Sequence, residues 1–229
     1  VSFISSFMGI ASAWFITNYN FPGSSYIKWM LILPLAIPTY ISAYAYSDTI
    51  EFFTPLLIFV RDNFGSDYMA ALDTIIVYLT AIFVLSSVLY PYVYLLLRVS
   101  FETYGNHFIK VSNTLGYSKK ESFWKIALPM SRPALVAGLI LVTMETLSDF
   151  GAVKHFGIQT FTYGIFRTWF GMGDMVGALK LALALMIITL SFLYLEQKNR
   201  SRSNFSVKSF NGVIQKEDVS IIKTIFVGI

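Results

Sequence analysis

The chain has 229 residues, of which 55% are hydrophobic and only 13% are charged, a composition far from that of a soluble globular domain. It contains no cysteine, which excludes disulfides, thiolate metal sites and cysteine nucleophiles. The formal net charge is +4, but the basic residues lie beside apolar runs, so this charge indicates membrane orientation and not nucleic-acid binding. These properties place the chain among multi-pass membrane proteins.

Apolar segments along the chain predict five membrane-spanning helices, since about 17–25 apolar residues cross a bilayer. In chain order they cover residues 1–16, 27–47, 69–97, 134–152 and 175–195. The first is short and is interpreted as clipped, while Pro34 and Pro38 interrupt the second. Residues 198–218 are polar and predict a cytoplasmic linker, and residues 219–229 start a further transmembrane helix. We therefore expect a transmembrane domain over residues 1–197 that lacks its first span, within a fragment of a longer protein.

The connections between the spans alternate in charge. Residues 48–68 form a predicted loop with one basic and four acidic residues, a net charge of −3. Residues 98–132 hold six basic and two acidic residues, a net charge of +4. Because basic residues concentrate in cytoplasmic loops, residues 98–132 and the turn at 17–26 are predicted inside, and the loops at 48–68 and 153–174 outside.

Small residues recur at four-residue spacing in two of the spans, at Ala134 and Gly138 and at Ala178 and Ala182. Residues four apart lie on one side of a helix, and small side chains there let a neighbouring helix approach closely. The pattern therefore predicts tight helix packing at both places.

Residues 103–133 are a polar and basic stretch between the third and fourth spans. The sequence predicts two short amphipathic helices that meet at Gly116, because glycine adopts backbone angles that are closed to other residues. Ser118 precedes Glu121 by three residues, the spacing of a capping box that starts the second helix. Leu128-Pro129 is predicted to end that helix.

This stretch resembles the cytoplasmic loop of permease subunits of binding-protein-dependent ABC importers. The family pattern is E-A-A, three residues, Gly, nine residues, Ile, one residue and Leu-Pro. Lys110-Val111-Ser112, Gly116, Ile126 and Leu128-Pro129 keep that spacing without a gap. The opening triplet departs from the family, because Lys110 stands where the family has its acidic residue.

The resemblance implies an all-α fold, a polytopic transmembrane helical bundle of the MetI-like type. It also implies that, within the coupling loop 103–133, the Gly116 hinge inserts into a cleft of a separate ABC ATPase subunit. Residues 113–127 would bear the coupling, with Gly116 as the pivot and Phe123 or Trp124 as apolar contacts. This chain has no G-x-x-x-x-G-K-[ST] motif, so it is predicted to be a transport subunit and not an enzyme, with ATP and Mg²⁺ bound by the partner. The candidate coupling residues are Lys110, Ser112, Gly116, Ser118, Glu121, Phe123, Trp124, Ile126, Leu128 and Pro129.

Two carboxylates, Glu145 and Asp149, fall within the predicted fourth span, one helical turn apart on one face. Charged residues inside a membrane are costly, so both are candidates for a translocation path. The alternative is a structural pairing, for example of Glu145 with Lys180 on the next span, and the sequence leaves both interpretations open. No metal site is predicted, because His107 and His155 fall on opposite sides of the membrane by the predicted topology.

Residues 145–174 carry a second resemblance, in the order Asp-Phe-Gly, Phe-Gly, Thr-Phe-Thr, Gly-Ile and Arg-Thr-Trp-Phe. This run is similar to the ferric-iron branch of the ABC importer permeases, as are residues 19–23 and 33–38. The resemblance implies the first half of a two-repeat permease in the bacterial inner (plasma) membrane, with lipid around it and no nucleic-acid partner. It further implies a periplasmic iron-binding protein that docks on the outer loop, through Thr160, Phe161, Arg167 and Trp169.

Other functions remain open at the level of the sequence. One is a permease for another small solute, such as thiamine, a polyamine or an oxyanion, although Glu145 and Asp149 disfavour an anion path. A second is an ATP-independent channel or secondary transporter, which would need no docking helix. A membrane-embedded enzyme is the weakest alternative, because the sequence offers no catalytic cluster.

Overall fold

A computed structural model describes residues 1–114, 116–202 and 217–218, and these residues are almost entirely helical. The helices are α1 (Ser2–Asn18), α2 (Ser24–Met30), α3 (Thr39–Ala45), α4 (Ser47–Phe52), α5 (Thr54–Phe64), α6 (Ser66–Thr114), α7 (Lys119–Ser122), α8 (Leu128–Met130), α9 (Arg132–Ser148), α10 (Gly151–His155), α11 (Phe161–Phe166) and α12 (Met175–Arg202). A 3₁₀ turn covers Leu33–Ala36, and π-helical segments cover Phe123–Ala127 and Arg167–Gly171. Two-residue strands β1 (Tyr19–Asn20) and β2 (Glu217–Asp218) pair in parallel.

The described residues hold between two and four candidate membrane spans. The helices α6 and α12 qualify alone, over Ser66–Thr103 and Met175–Leu195. Two bent helix pairs qualify only when each pair is taken as one span: Ser24–Ala36 with Thr39–Phe52, and Lys120–Met130 with Arg132–Ser148. The predicted all-α, polytopic fold class is confirmed, and the predicted fifth span agrees with the apolar part of α12.

Prolines have different effects in two of the spans. The second span breaks at the 3₁₀ turn that contains Pro34, and α3 begins directly after Pro38. Proline lacks the N–H that a helix needs, so the predicted interruption is confirmed. In contrast, α6 runs for 49 residues with Pro91 inside it. The side chain of Pro91 is fully buried, which indicates that packing holds the helix on both sides of the proline.

The predicted outer loop at 48–68 is wrong as a loop, because its residues form α4, α5 and the start of α6. Pro55 lies in the first turn of α5, where a missing N–H costs no hydrogen bond. Gly65, with φ at +101°, separates α5 from α6. The predicted loop at 153–174 likewise contains α11 and a π-helical segment.

The contacts divide the chain into two compact units, of which the first comprises Val1, Leu35–Leu89 and Thr143–Phe192. In this unit α3 packs against α10. Its buried hydrophobic cluster consists of Ala43, Ala81, Val84, Leu85, Ala152 and Phe156.

The second unit comprises Ser2–Pro34, Tyr90–Val142 and Leu193–Ile229. Its packing centres on Val93 of α6, which is fully buried. A Cβ atom built on Gly9 would lie 2.7 Å from Val93 Cβ, and one built on Gly138 would lie 2.9 Å from Val93 Cα. Glycine is therefore what lets α1 and α9 approach α6, and the close approach predicted at Gly138 is confirmed.

Two tyrosines of α6 bind the broken second span within the same unit. The Tyr94 hydroxyl donates to the carbonyl oxygen of Lys28 at 3.1 Å, and the Tyr90 hydroxyl donates to that of Leu31 at 3.0 Å. Backbone carbonyls at a helix break need partners inside a membrane, and α6 supplies them here.

Candidate functional site

The stretch predicted to bind an ATPase turns at Gly116, whose φ is +66°. Among the described residues, no atom lies within 4 Å of a Cβ built on Gly116, so the need for glycine comes from the backbone angle and not from limited space. The predicted hinge is confirmed, but the helix before it is the end of the long α6 and not a separate short helix. Predictions that concern the side chains of Lys110 and Ser112 fall outside the described residues.

The second helix of the stretch begins with the predicted capping box. The Ser118 N–H donates to Glu121 Oε2 at 3.0 Å, and the Glu121 N–H donates to Ser118 Oγ at 3.4 Å. Lys125 Nζ donates to Glu121 Oε1 at 3.0 Å and lies 4.5 Å from the centre of the Tyr117 ring. The pKa of the Glu121 carboxyl is lowered to about 2. The largest cause is the hydrogen bond from the Ser118 backbone, and the second largest is the hydrogen bond from Lys125.

This lowered pKa predicts how the cap responds to acid. Because the ordinary pKa is 4.5 and the folded value is about 2, the charged carboxylate stabilises the helix start above pH 4.5, and this contribution is lost as the pH falls towards 2. A carboxyl-carbon NMR titration of Glu121 should therefore show a midpoint of about 2. We expect a higher midpoint in Lys125→Met and an unchanged one in Lys120→Met, whose lysine does not bind Glu121. A midpoint near 4.5 in the unaltered protein would contradict the capping geometry.

The apolar side chains of the π-helical segment Phe123–Ala127 divide into inward and outward groups. The Phe123 ring lies 4.8 Å from the ring of Trp14 in α1, and Trp14 lies 5.6 Å from Phe101 in α6. Ile126 is buried as well, whereas Trp124 is 60% exposed. Of the two predicted apolar contacts for a partner, Trp124 is therefore free to make one, and Phe123 already packs within this chain.

The predicted end of the helix at Leu128-Pro129 lies one residue before the observed end at Met130. Helical structure continues through α8 to Met130, because Pro129 lies in the first turn of α8, where its missing N–H costs no bond. The break comes at Ser131, whose hydroxyl accepts a buried hydrogen bond of 3.0 Å from that of Ser100. Beyond this break the chain bends by 69° into α9.

A charged cluster beside this segment was missed by the sequence analysis. Glu102 Oε1 accepts hydrogen bonds from Lys28 Nζ at 3.2 Å and from Arg98 Nε at 3.0 Å. Both pairs are partly buried, and their main consequence is geometric: the cluster ties α2 to α6. The spacing of Arg98 and Glu102 could have indicated their pairing, but nothing in the sequence indicates that Lys28 joins them.

Glu145 and Asp149 lie one helical turn apart, since the Asp149 N–H donates to the carbonyl oxygen of Glu145 at 2.9 Å. Glu145 lies on α9 and is exposed, and among the described residues it forms no ion pair with Lys180. Asp149 lies beyond the last residue of α9. Its carboxylate accepts hydrogen bonds from the Thr39 hydroxyl and, at 2.9 Å, from the N–H of Ala152 in α10. Asp149 therefore joins α3 to α10, and roles of Glu145 and Asp149 in a path stay predictions.

The four residues predicted to meet a binding protein lie along α11 and the π-helical segment that follows it. Thr160 caps α11, since its Oγ1 accepts from the N–H of Tyr163 at 3.4 Å. Phe161 and Trp169 are 41% and 49% exposed, and Arg167 is exposed too. The structure thus places all four on one continuous surface element, while their role remains a prediction.

Comparison with known proteins identifies the family. Residues 5–196 match the binding-protein-dependent transport system inner membrane component family. The chain belongs to this family. Membership and the long apolar helices confirm the predicted location in the inner membrane as a multi-pass protein.

Curated relatives of this family member are named for different solutes. The sulfate transport system permease protein CysT of Escherichia coli (strain K12) is 29% identical over 154 residues, which are 66% of this chain and 52% of the relative. The Fe(3+)-transport system permease protein FbpB 2 of Haemophilus influenzae is 26% identical over 162 residues, 71% of this chain and 28% of the relative. The molybdenum transport system permease protein ModB of Haemophilus influenzae is 29% identical over 152 residues, 65% of this chain and 62% of the relative.

These relatives are all transport permease proteins, as expected for a transport subunit. The chain spans about half the length of the CysT relative it matches. Since sulfate, ferric-iron and molybdenum permeases all match, family membership does not distinguish the ferric-iron branch.

Proposed function

We propose that this chain is a permease subunit of an ATP-driven importer that receives its solute from a periplasmic binding protein. The family match over residues 5–196 carries this proposal. In it, a separate ABC ATPase holds ATP and Mg²⁺, and this chain binds no cofactor. The binding protein docks on the outer surface that contains Thr160, Phe161, Arg167 and Trp169.

The hinge at Gly116 suits a coupling role, because it presents a short capped helix with one exposed tryptophan. Trp124 contacts the ATPase in this proposal, while Phe123 and Ile126 anchor the segment to its own chain. The ring contacts from Phe123 through Trp14 to Phe101 then pass a displacement of the segment to α1 and α6. In coupling of this kind, the nucleotide state of the ATPase changes the free-energy difference between the inward-open and outward-open arrangements of the helices.

For the substrate we propose ferric iron, supplied by a periplasmic iron-binding protein. The resemblance of residues 145–174 to the ferric-iron branch supports this assignment, as does the FbpB 2 relative. The exposed carboxylate of Glu145 on α9 also suits a cation. An oxyanion is the second candidate, because Asp149 is engaged in structural hydrogen bonds and two relatives are named for sulfate and molybdenum.

Uptake by the whole transporter in proteoliposomes tests the proposal. With its ATPase and binding protein present, we expect ATP-dependent accumulation of labelled ferric iron and no accumulation of sulfate or molybdate. An ATPase variant that binds but does not hydrolyse ATP serves as the control. Accumulation of an oxyanion would replace ferric iron with the second candidate, and uptake without the ATPase would favour a channel or secondary transporter.

A further inference from the structure

A groove of about 640 Å³ lies between α3 and α10 in the first unit. Ligand sites commonly have volumes of about 300–1,000 Å³, so this groove is large enough to hold a polar ligand group. Its lining consists of Tyr40, Ile41, Tyr44, Gly151, Lys154 and His155. None of these six residues is acidic, whereas a lysine, an imidazole and two phenol groups offer side-chain donors. The lining therefore combines positive charge with hydrogen-bonding groups.

Close packing and hydrogen bonds fix the walls of the groove before any ligand binds. A Cβ atom built on Gly151 would lie 2.7 Å from Tyr40 Cβ, so glycine is what lets α10 lie this close to α3. At one end of the groove, hydrogen bonds to the Asp149 carboxylate join α3 to α10. At the other end, His155 Nε2 is hydrogen-bonded to the hydroxyl of Ser47.

The end of the groove at Ser47 and His155 lies at the predicted outer surface of the membrane. The second span is predicted to end at residue 47, and the outer loop is predicted to begin at residue 153. Lys154 directly precedes His155 and is exposed. A lysine at this depth lies where the phosphate groups of lipids are found, since lysine side chains near helix ends extend towards the headgroups.

The positive charge of Lys154 is not neutralised within the part of the chain that the structure describes, where Lys154 forms no ion pair. Its Nζ lies 5.0 Å from the centre of the Phe166 ring and 5.4 Å from that of Phe150. The nearby Asp149 carboxylate is occupied by its own hydrogen bonds. An ammonium group held over aromatic rings without a carboxylate partner is suited to an anion.

Below this charged end, the wall formed by α3 presents apolar side chains to its surroundings. Ile37, just before α3, and Tyr40, Ile41 and Tyr44 within it are all exposed. They lead from Tyr44, near the predicted outer surface, to Ile37, near the middle of the predicted second span. Exposed apolar side chains at this depth meet lipid, and tyrosine is typical of the membrane interface. An apolar surface therefore continues from the charged end of the groove into the membrane.

We propose that this groove binds an anionic phospholipid from the outward-facing leaflet. Its phosphate lies at Lys154, with Tyr44 and His155 as hydrogen-bond partners, and an acyl chain follows Ile41 and Ile37. The occupant is a lipid and not a free anion, because a free anion would leave the adjoining apolar surface uncovered. The inference goes beyond the proposed import function and does not depend on which solute is transported.

Photocrosslinking with a labelled lipid tests the groove in the purified whole transporter. The probe is phosphatidylglycerol that carries a photoreactive group in its acyl chain, added to the transporter in nanodiscs of phosphatidylcholine. Mass spectrometry of the digested protein should find the probe attached to residues 37–44. Unlabelled phosphatidylglycerol should displace the probe, whereas inorganic phosphate and glycerol phosphate should not, because they lack acyl chains.

Substitutions of Lys154 test the charged end of the groove. We expect Lys154→Gln to weaken binding of the probe by about tenfold or more, the loss of one charged hydrogen bond, and Lys154→Arg to restore most of it. Lys180→Gln is the matched control, since Lys180 is also an exposed lysine of the first unit but does not line the groove. Thermal unfolding of each variant in the same nanodiscs checks that it is folded.

The inference is wrong if the probe labels other surfaces but not residues 37–44, as it would if a partner protein covered the groove. It is also wrong if Lys154→Gln leaves binding unchanged or if Lys180→Gln weakens binding equally. Displacement of the probe by inorganic phosphate, as effective as that by phosphatidylglycerol, would assign the groove to a free anion and overturn the lipid. Because no solute uptake is measured, each of these outcomes leaves the proposed import function intact.

Discussion

Replacing Gly116 with proline should abolish stimulation of the partner ATPase while the chain still inserts into the membrane. Gly116 has φ at +66°. A proline ring holds φ at about −65°, so the hinge is unable to form in this variant. Gly116→Ala should give a partial loss, since a left-handed backbone costs a residue with a Cβ about 1–2 kcal/mol. The measurement is ATP hydrolysis by the reconstituted complex with loaded binding protein, compared with hydrolysis by the ATPase alone.

Gly173→Pro provides the matched control for this experiment. Gly173 has φ at +67°, and for Gly173 as for Gly116 no atom of the described residues lies within 4 Å of an added Cβ. The substitution therefore introduces the same backbone conflict at a site outside the proposed coupling segment. Stimulation should survive in Gly173→Pro, and normal stimulation in Gly116→Pro would disprove the coupling role of the hinge.

Replacing Gly138 with alanine should destabilise the protein, although alanine normally favours a helix. The added Cβ would lie 2.9 Å from Val93 Cα, a backbone atom that is unable to rotate away. Overpacking of this kind costs about 1–3 kcal/mol, because α9 has to move from α6 or α6 has to deform. The free energy of unfolding in detergent, measured by denaturant titration, should fall accordingly.

Gly164→Ala is the control with the opposite expected sign. Gly164 lies in α11, and within the described part of the chain a Cβ there would meet only Leu181 Cδ1, at an ordinary contact distance of 3.7 Å. This variant should gain roughly 0.5–1 kcal/mol from reduced backbone freedom in the unfolded chain. If Gly138→Ala were as stable as Gly164→Ala, the close approach of α9 to Val93 would be wrong. Gly9→Ala should resemble Gly138→Ala, because both helices approach the same residue.

Local features of the fold were predictable from residues close together in the sequence. The hinge at Gly116 and the capping box of Ser118 and Glu121 depend on backbone angles and hydrogen bonds within one or two turns. The break around Pro34 and the apolar length of Met175–Leu195 follow in the same way from the chemistry of a single segment. Each of these features has its cause inside the stretch that shows it.

The helical form of residues 48–68 was not predictable from their charges, because acidic residues and a proline suit a helix start as well as a loop. Likewise, the spacing of Phe123 and Trp124 does not tell which ring packs inside, since Trp14 is more than a hundred residues away in the chain. The two carboxylates of the predicted fourth span are a similar case. Whether Asp149 faces a path or caps α10 depends on where α9 ends.

The sequence by itself determined the membrane class, the apolar spans and the local geometry of the hinge, because composition, periodicity and backbone chemistry act over short distances. Only the tertiary structure decided which side chains are free to act. Trp124 is exposed while Phe123 packs against Trp14, and among the described residues Lys154 forms no ion pair, since the nearby Asp149 binds Thr39 and the start of α10. In both cases a partner distant in the sequence occupies one group and leaves its neighbour available, and no local pattern encodes that choice.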